Sequence, residues 1–175
     1  MNRHPGGMDH TLCMLELAKL PQGARVIDLG AGAGETVELL NTLGFRAEGI
    51  DLNPRSESVR RGDLLHAPYP DGCFNAVISQ CSFFLSSDVP GAFRESFRLL
   101  KEGGLLLYSD VCFEDPIPAV RNAGFQIEYD EDLTPLWREY YLEALWSGTD
   151  VVCGTRGKCV YRMMICRKER KNGSV

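Results

Sequence analysis

The stretch VIDLGAGAGETVELL, residues 26–40, decides how this chain is read. An apolar run meets glycines at 30, 32 and 34, then a helical pattern sets Val37, Leu39, Leu40 and Leu43 near one face. A glycine loop between a strand and a helix lets backbone N–H groups and the positive helix N-terminus come close to a ligand. Such a loop suits a nucleotide, and the neighbouring residues narrow the kind. A dinucleotide fingerprint needs its third glycine at 35, where the chain has Glu35, whose carboxylate would repel a pyrophosphate. No Gly-Lys-Ser/Thr follows either, so a P-loop is excluded and the ligand is less anionic than a dinucleotide.

Outward from the loop, strand-like and helix-like segments alternate, which argues for an α/β sheet. Helices are expected at 11–20, 35–43, 89–101, 117–123 and 133–146. Strands are expected at 24–29, 46–52, 59–62, 75–79, 104–110, 125–129 and 159–167, seven in all, with a turn at Glu102-Gly103 before the fifth. Only residues 53–58 separate the second strand from the third, too few for a full crossover helix. The aromatic residues Trp137, Tyr140, Tyr141 and Trp146 are expected to pack the last helix onto the sheet, or else to line an apolar pocket.

The 175 residues suit one domain, residues 1–175, and 44% hydrophobic with 25% charged residues is a globular balance. The opening has no apolar signal-peptide core, and no segment approaches the roughly 18 apolar residues of a membrane helix. Seven cysteines without a signal peptide are read as reduced thiols, and the expected compartment is the cytoplasm. A net charge of -5 argues against a nucleic-acid partner, and the basic tail at 167–171 reads as a solvated terminus. The oligomeric state is left open, and no metal site is expected.

Asp28-Leu29-Gly30-Ala31-Gly32-Ala33-Gly34 resembles the first motif of class I S-adenosylmethionine-dependent methyltransferases. Later segments resemble the same family in order. Gly49-Ile50-Asp51-Leu52-Asn53-Pro54 is similar to its acidic strand end, and Gly62-Asp63-Leu64 with the turn 70–77 resembles the type 11 subgroup. Residues 99–104, Leu-Lys-Glu-Gly-Gly after Leu99, look like the family's L-K-P-G-G turn. The resemblance runs from about residue 24 to 110 and implies a three-layer sandwich, a Rossmann-like, mostly parallel seven-stranded sheet with its last strand antiparallel. It implies the cofactor S-adenosyl-L-methionine, the product S-adenosyl-L-homocysteine and a small-molecule acceptor.

On that reading the cofactor is held by Asp28, Gly30, Ala31, Gly32, Gly34, Asp51, Leu52, Asp63, Leu64 and Gln80. One carboxylate at Asp51 can accept both vicinal ribose hydroxyls. Asp63 can accept from the adenine amino group while the Leu64 N–H reaches a ring nitrogen, although Gly-Asp also starts ordinary turns. Asp28 supports the loop or the methionine ammonium, and Gly30 and Gly32 leave the cofactor unobstructed. Gln80, Cys81 and Ser82, with Asp110 and Cys112, reach the carboxyl edge of the sheet where ligands bind. The loop 147–158 belongs to that edge too if the last strand is antiparallel, and residues 4–8 fold over the cofactor.

Transfer from a sulfonium is chiefly alignment, so no catalytic residue is assigned; His10 and His66 could serve as bases, but lone histidines in a helix or turn read rather as surface residues. Cys81, Cys112, Cys153 and Cys159 are grouped near the site edge, which would suit a soft metalloid or thiol acceptor as in the related arsenite methyltransferases; buried hydrophobes are the alternative. Beside a methyltransferase stand a module that binds the cofactor without transfer and, disfavoured by the glycine spacing, a dinucleotide oxidoreductase.

Overall fold

A computed structural model of the chain describes residues 4–148 and 158–169. The strands are β1 (Arg25–Leu29), β2 (Arg46–Asp51), β3 (Val59–Arg61), β4 (Phe74–Gln80), β5 (Leu100–Cys112), β6 (Phe125–Asp132) and β7 (Val160–Lys168). The helices are α1 (Gly7–Ala18), α2 (Glu35–Thr42), α3 (Val89–Leu99), α4 (Ile117–Asn122) and α5 (Thr134–Trp146). The strands form one sheet in the order β3-β2-β1-β4-β5-β7-β6. The pairs from β3 through β5 are parallel, whereas β7 runs antiparallel to both β5 and β6. This is the three-layer, Rossmann-like architecture expected from the sequence.

Both faces of the sheet are covered, which is why its central strands read as apolar runs rather than alternations. On one face Val26, Ala76, Ile78 and Leu107 pack with Met14 and Leu15 of α1 and Leu40 of α2. On the other, Ile27, Leu29, Val77 and Tyr108 pack with Phe93 and Leu99 of α3 and Val120 of α4. The chain order reverses between β1 and β4, so their carboxyl ends part into a crevice. The loop after β1, the end of β2 and the turn after β4 meet there.

Several boundaries differ from the sequence reading. Helix α1 begins at Gly7 rather than at 11, behind Gly6 at φ 73, because its first turn is held by burial and not by a Ser or Asp cap. Strand β5 begins at Leu100 instead of after a turn at 102–103. The added residues are absorbed as a register shift against β4 between Phe74 and Ala76. Strand β3 lies parallel to β2 with only residues 52–58 between them and no helix, as the short link required. Helix α5 does not pack its aromatic residues into the core. It buries Thr134 and Ala144, Trp137 stacks on Tyr141 with centroids 5.2 Å apart, and Trp146 is 89% exposed.

One network fixes the segment between β3 and β4. Arg98 of α3 donates to Asp71 Oδ1 (2.6 Å), to the carbonyls of Tyr69 (2.8 Å) and Ala67 (3.1 Å), and to both Glu95 oxygens (2.8 and 2.6 Å). Glu95, itself buried, accepts the Ala67 N–H at 2.8 Å. Removing the guanidinium leaves a buried carboxylate without its counter-charge. Arg98→Ala is expected to destabilise the protein by about 3 kcal/mol in denaturant titration and to speed amide exchange at Ala67 and Tyr69, while Arg98→Lys, lacking the fork, recovers only part. A loss below about 0.5 kcal/mol would show the network to be surface decoration.

Candidate cofactor and acceptor site

The glycine loop is tied to β2 through its own amides. Gly30 and Ala31 both donate to the Ile50 carbonyl (2.9 and 3.0 Å), and Gly34 donates to Ala31 (2.8 Å). The Gly32 N–H donates to Asp51 Oδ2 at 2.9 Å, while Oδ1 of the same carboxylate accepts from the Asn53 N–H at 2.8 Å. Gly30, Gly32 and Gly34 all have left-handed backbone, φ 85, 54 and 85. Each of them also stands against a protein neighbour. A Cβ on Gly30 would meet Ser82, one on Gly32 would stand 2.6 Å from Arg55 Nη2, and one on Gly34 would stand 2.6 Å from Ser58 Oγ. The glycines therefore let the segments after β2 and β4 close on the loop.

Two chambers open along this loop. The larger, about 470 Å³, is lined by Asp51, Leu52, Asp63, Leu64 and Leu85. The smaller, about 170 Å³, is lined by Asp28, Ala31, Gly32, Gln80, Arg55 and His4. Gly30, Asp51, Ser82 and Leu85 belong to both, so Asp51 stands where the chambers join. Gly34 lines neither and instead caps α2. Asp63 takes the turn that Gly-Asp suggested, its Oδ1 accepting the Leu65 N–H at 2.9 Å, while it also faces the larger chamber. Two walls had no sequence signal. Leu85 ends a short 3-10 turn after β4 and Ser86 and Ser87 follow it, and Arg55 sits in a link with no periodicity.

The electrostatics of the smaller chamber follow from burial. Asp28 is buried, its carboxylate makes no hydrogen bond with a described residue, and it faces Asp51; burial first and that like charge second push its pKa up to about 7. His4 lines the chamber, and burial holds its imidazole below its ordinary pKa. Gln80 Oε1 accepts from the hydroxyls of Thr11 (3.2 Å) and Thr36 (3.4 Å), which fixes its amide at the chamber floor.

Beyond Gln80 the chain turns through Cys81, a non-glycine residue at φ 53 whose N–H donates to the Ser109 carbonyl at 2.9 Å. Its thiol approaches the Tyr161 hydroxyl at 3.7 Å, and that hydroxyl donates to Ser109 Oγ at 3.2 Å. Asp110 stiffens this edge by accepting from the N–H groups of Phe83 (2.8 Å), Phe84 (3.2 Å) and Val111 (2.8 Å). His10, read from sequence as a surface residue, is buried with its ring 6.2 Å from Tyr161, and its Nε2 has no partner among the described residues. Burial, and then His4, lower its pKa to about 4. His66 is exposed and lines neither chamber.

Of the four cysteines that the soft-acceptor reading grouped, Cys81 and Cys112 lie on opposite faces of the sheet. Cys81 stands beside Tyr161, whose neighbours two and four along, Met163 and Ile165, pack on the α1 face. Cys112 lies in the core of the opposite face against the Tyr108 hydroxyl at 3.4 Å, and burial pushes its thiol up to about 12. Cys153 lies outside the described residues. Among the described residues no group of three or more His, Cys, Asp or Glu could hold a metal ion.

A family model described as a methyltransferase domain matches residues 8–150. The chain belongs to the class I S-adenosylmethionine-dependent methyltransferase family. It is 30% identical over 140 residues to the Bacillus subtilis protein YqeM, covering 70% of this chain and 56% of that one. Over 124 residues it is 32% identical to an arsenite methyltransferase of Aquipseudomonas alcaligenes, covering 57% and 36%. The chain thus spans about half or less of the length of these curated relatives. In fold it resembles geranyl diphosphate C-methyltransferase of Streptomyces coelicolor, solved with Mg2+, geranyl diphosphate and S-adenosyl-L-homocysteine, with a TM-score of 0.73 at 18% identity over 92% of this chain and 79% of that one. The family's cofactor is S-adenosylmethionine.

Asp28 gives this methyltransferase-family chain a pH signature of its own. Its folded pKa, about 7, is raised from 3.8, so the folded state holds the proton more tightly than the unfolded chain. That contribution to stability is fully present below the unfolded value and is lost as pH rises towards 7. Asp28→Asn should therefore gain stability relative to the wild type between about pH 5 and about pH 8 in denaturant titrations. Parallel pH profiles for the two proteins would show that the carboxylate is already ionised at no cost.

Proposed function

We propose that this chain binds S-adenosylmethionine along the two chambers and transfers its methyl group to a small-molecule acceptor, residues 1–175 acting as one domain. The observation that carries the reading is the Asp51 carboxylate at the junction of the chambers, with the buried acid Asp28 on one side and Asp63 on the other. A ligand carrying a cation at one end, two vicinal hydroxyls in the middle and an amino-substituted ring at the other matches that series. On this reading Leu64 and Asp63 take the adenine, Asp51 the ribose, and Asp28, the loop at 30–32 and Gln80 the methionyl end. Asp28 is a buried carboxylate that lacks a counter-charge in the protein, so a bound ammonium would complete it.

Bound S-adenosylmethionine supplies an already activated methyl on a positively charged sulfur, and in-line displacement then asks the chain mainly for alignment. The edge formed by Cys81, Ser109 and Tyr161 is the acceptor side of this reading. Both histidines near it are held neutral by burial, so neither adds a positive charge to repel a sulfonium. The arrangement supports an ordinary oxygen, nitrogen or carbon acceptor over a metalloid, since Cys81 and Cys112 face opposite sides of the sheet.

Asp51→Ala is expected to weaken S-adenosylmethionine binding by about 2 kcal/mol, near thirtyfold, in calorimetry on a folded variant, because two hydroxyls lose a charged acceptor. Unchanged affinity would remove Asp51 from the site. Release of labelled methyl from the cofactor into the small-molecule fraction of a cell extract tests transfer itself; binding without release would leave a cofactor-binding module.

A further inference from the structure

Arg55 lies in the link between β2 and β3, where no helix forms, and the sequence pattern gave it no role. Its backbone N–H donates to the Gly32 carbonyl at 2.9 Å, which anchors the residue on the glycine loop. Its Nη2 would stand 2.6 Å from a Cβ on Gly32, so the guanidinium lies across the loop, at the wall of the smaller chamber. We propose that Arg55 is a cofactor-binding residue that grips the carboxylate of the methionyl end of S-adenosylmethionine while Asp28 receives its ammonium. The proposal rests on the cofactor reading above and adds to it the residue that recognises the amino-acid end.

Three observations carry it. The acids Asp28, Glu35 and Asp51 line the smaller chamber, and among its described lining residues Arg55 is the one Lys or Arg side chain. A carboxylate entering there is disfavoured by the acids and attracted by this guanidinium. Secondly, four of the loop amides that could otherwise hold an anion are engaged within the protein. Those of Gly30 and Ala31 go to Ile50, that of Gly32 to Asp51 and that of Gly34 to Ala31. Glu35 opens α2 and further disfavours an anion at that helix end. Thirdly, the Arg55 side chain is exposed and makes no ion pair with a described residue, although three carboxylates line the same chamber. Its planar fork suits a carboxylate in two parallel hydrogen bonds, which a lysine cannot reproduce.

Decarboxylated S-adenosylmethionine keeps the adenosine, sulfonium and amine and lacks only the carboxylate. Calorimetry with both ligands on the wild type, Arg55→Ala and Arg55→Lys therefore isolates the proposed pair. We expect Arg55→Ala to weaken S-adenosylmethionine about tenfold and the decarboxylated ligand less than about twofold, Arg55→Lys to recover part of the loss, and the difference to shrink in high salt. Equal weakening of both ligands would make Arg55 a structural brace of the loop. Unchanged binding of both, or tighter binding of either, would also overturn the proposal, the latter by showing that the guanidinium obstructs the chamber. A folded wild type that binds neither ligand would overturn the cofactor reading, and this proposal with it.

Discussion

The site depends on how the loop after β1 is fastened to the end of β2. Two loop amides converge on the Ile50 carbonyl and a third on the Asp51 carboxylate, so the glycines are held in left-handed conformations by hydrogen bonds to the neighbouring strand. Such backbone is costly for other residues, and its persistence requires surroundings that over-determine it. The same bond fixes Asp51, which then borders both chambers. Loop geometry and ligand-facing charge are thus one arrangement, and a change to either disturbs both.

Around that fastening, the chemistry is set by what is buried without compensation. Asp28 is a carboxylate in the interior with another carboxylate beside it, an unfavourable pairing. A cationic ligand group removes the penalty, so poor local electrostatics in the free protein become affinity for the right ligand. Asp110 is fully buried, which pushes its pKa up to about 7 as well, but it accepts three backbone N–H groups and holds the turn after β4. Two buried acids near one edge therefore differ in role because one is satisfied by the chain and the other is not.

The sequence made the sheet legible because its signals are strong and local. Apolar runs on β1, β4 and β5 reflect burial on both faces, and the glycine loop marks the crevice. Asp28, Asp51 and Asp63 were visible because they end strands or follow them closely. What the sequence hid depends on distant contacts. Arg55 has no periodic neighbour and acquires its position only from a hydrogen bond to Gly32. His10 lies in a helix whose burial is set by β7 and the N-terminal segment, so a residue that reads as polar surface is interior. Likewise, residue spacing along the strands brought Cys81 and Cys112 to one edge, but Cys81 leaves β4 through a left-handed backbone turn and its thiol meets Tyr161, whereas Cys112 packs on the other face. The aromatic pattern of α5 resembled a core stripe, yet that helix covers the sheet with little more than Thr134 and Ala144.

The central claim is that one cofactor spans both chambers through Asp51. A crystal structure of the protein grown with S-adenosylhomocysteine tests it most directly. The account predicts ribose hydroxyls on the Asp51 carboxylate, the purine beside Asp63 and Leu64, and the amino-acid end between the glycine loop and Gln80. Density for the ligand outside this cleft, or with the ribose away from Asp51, would contradict it.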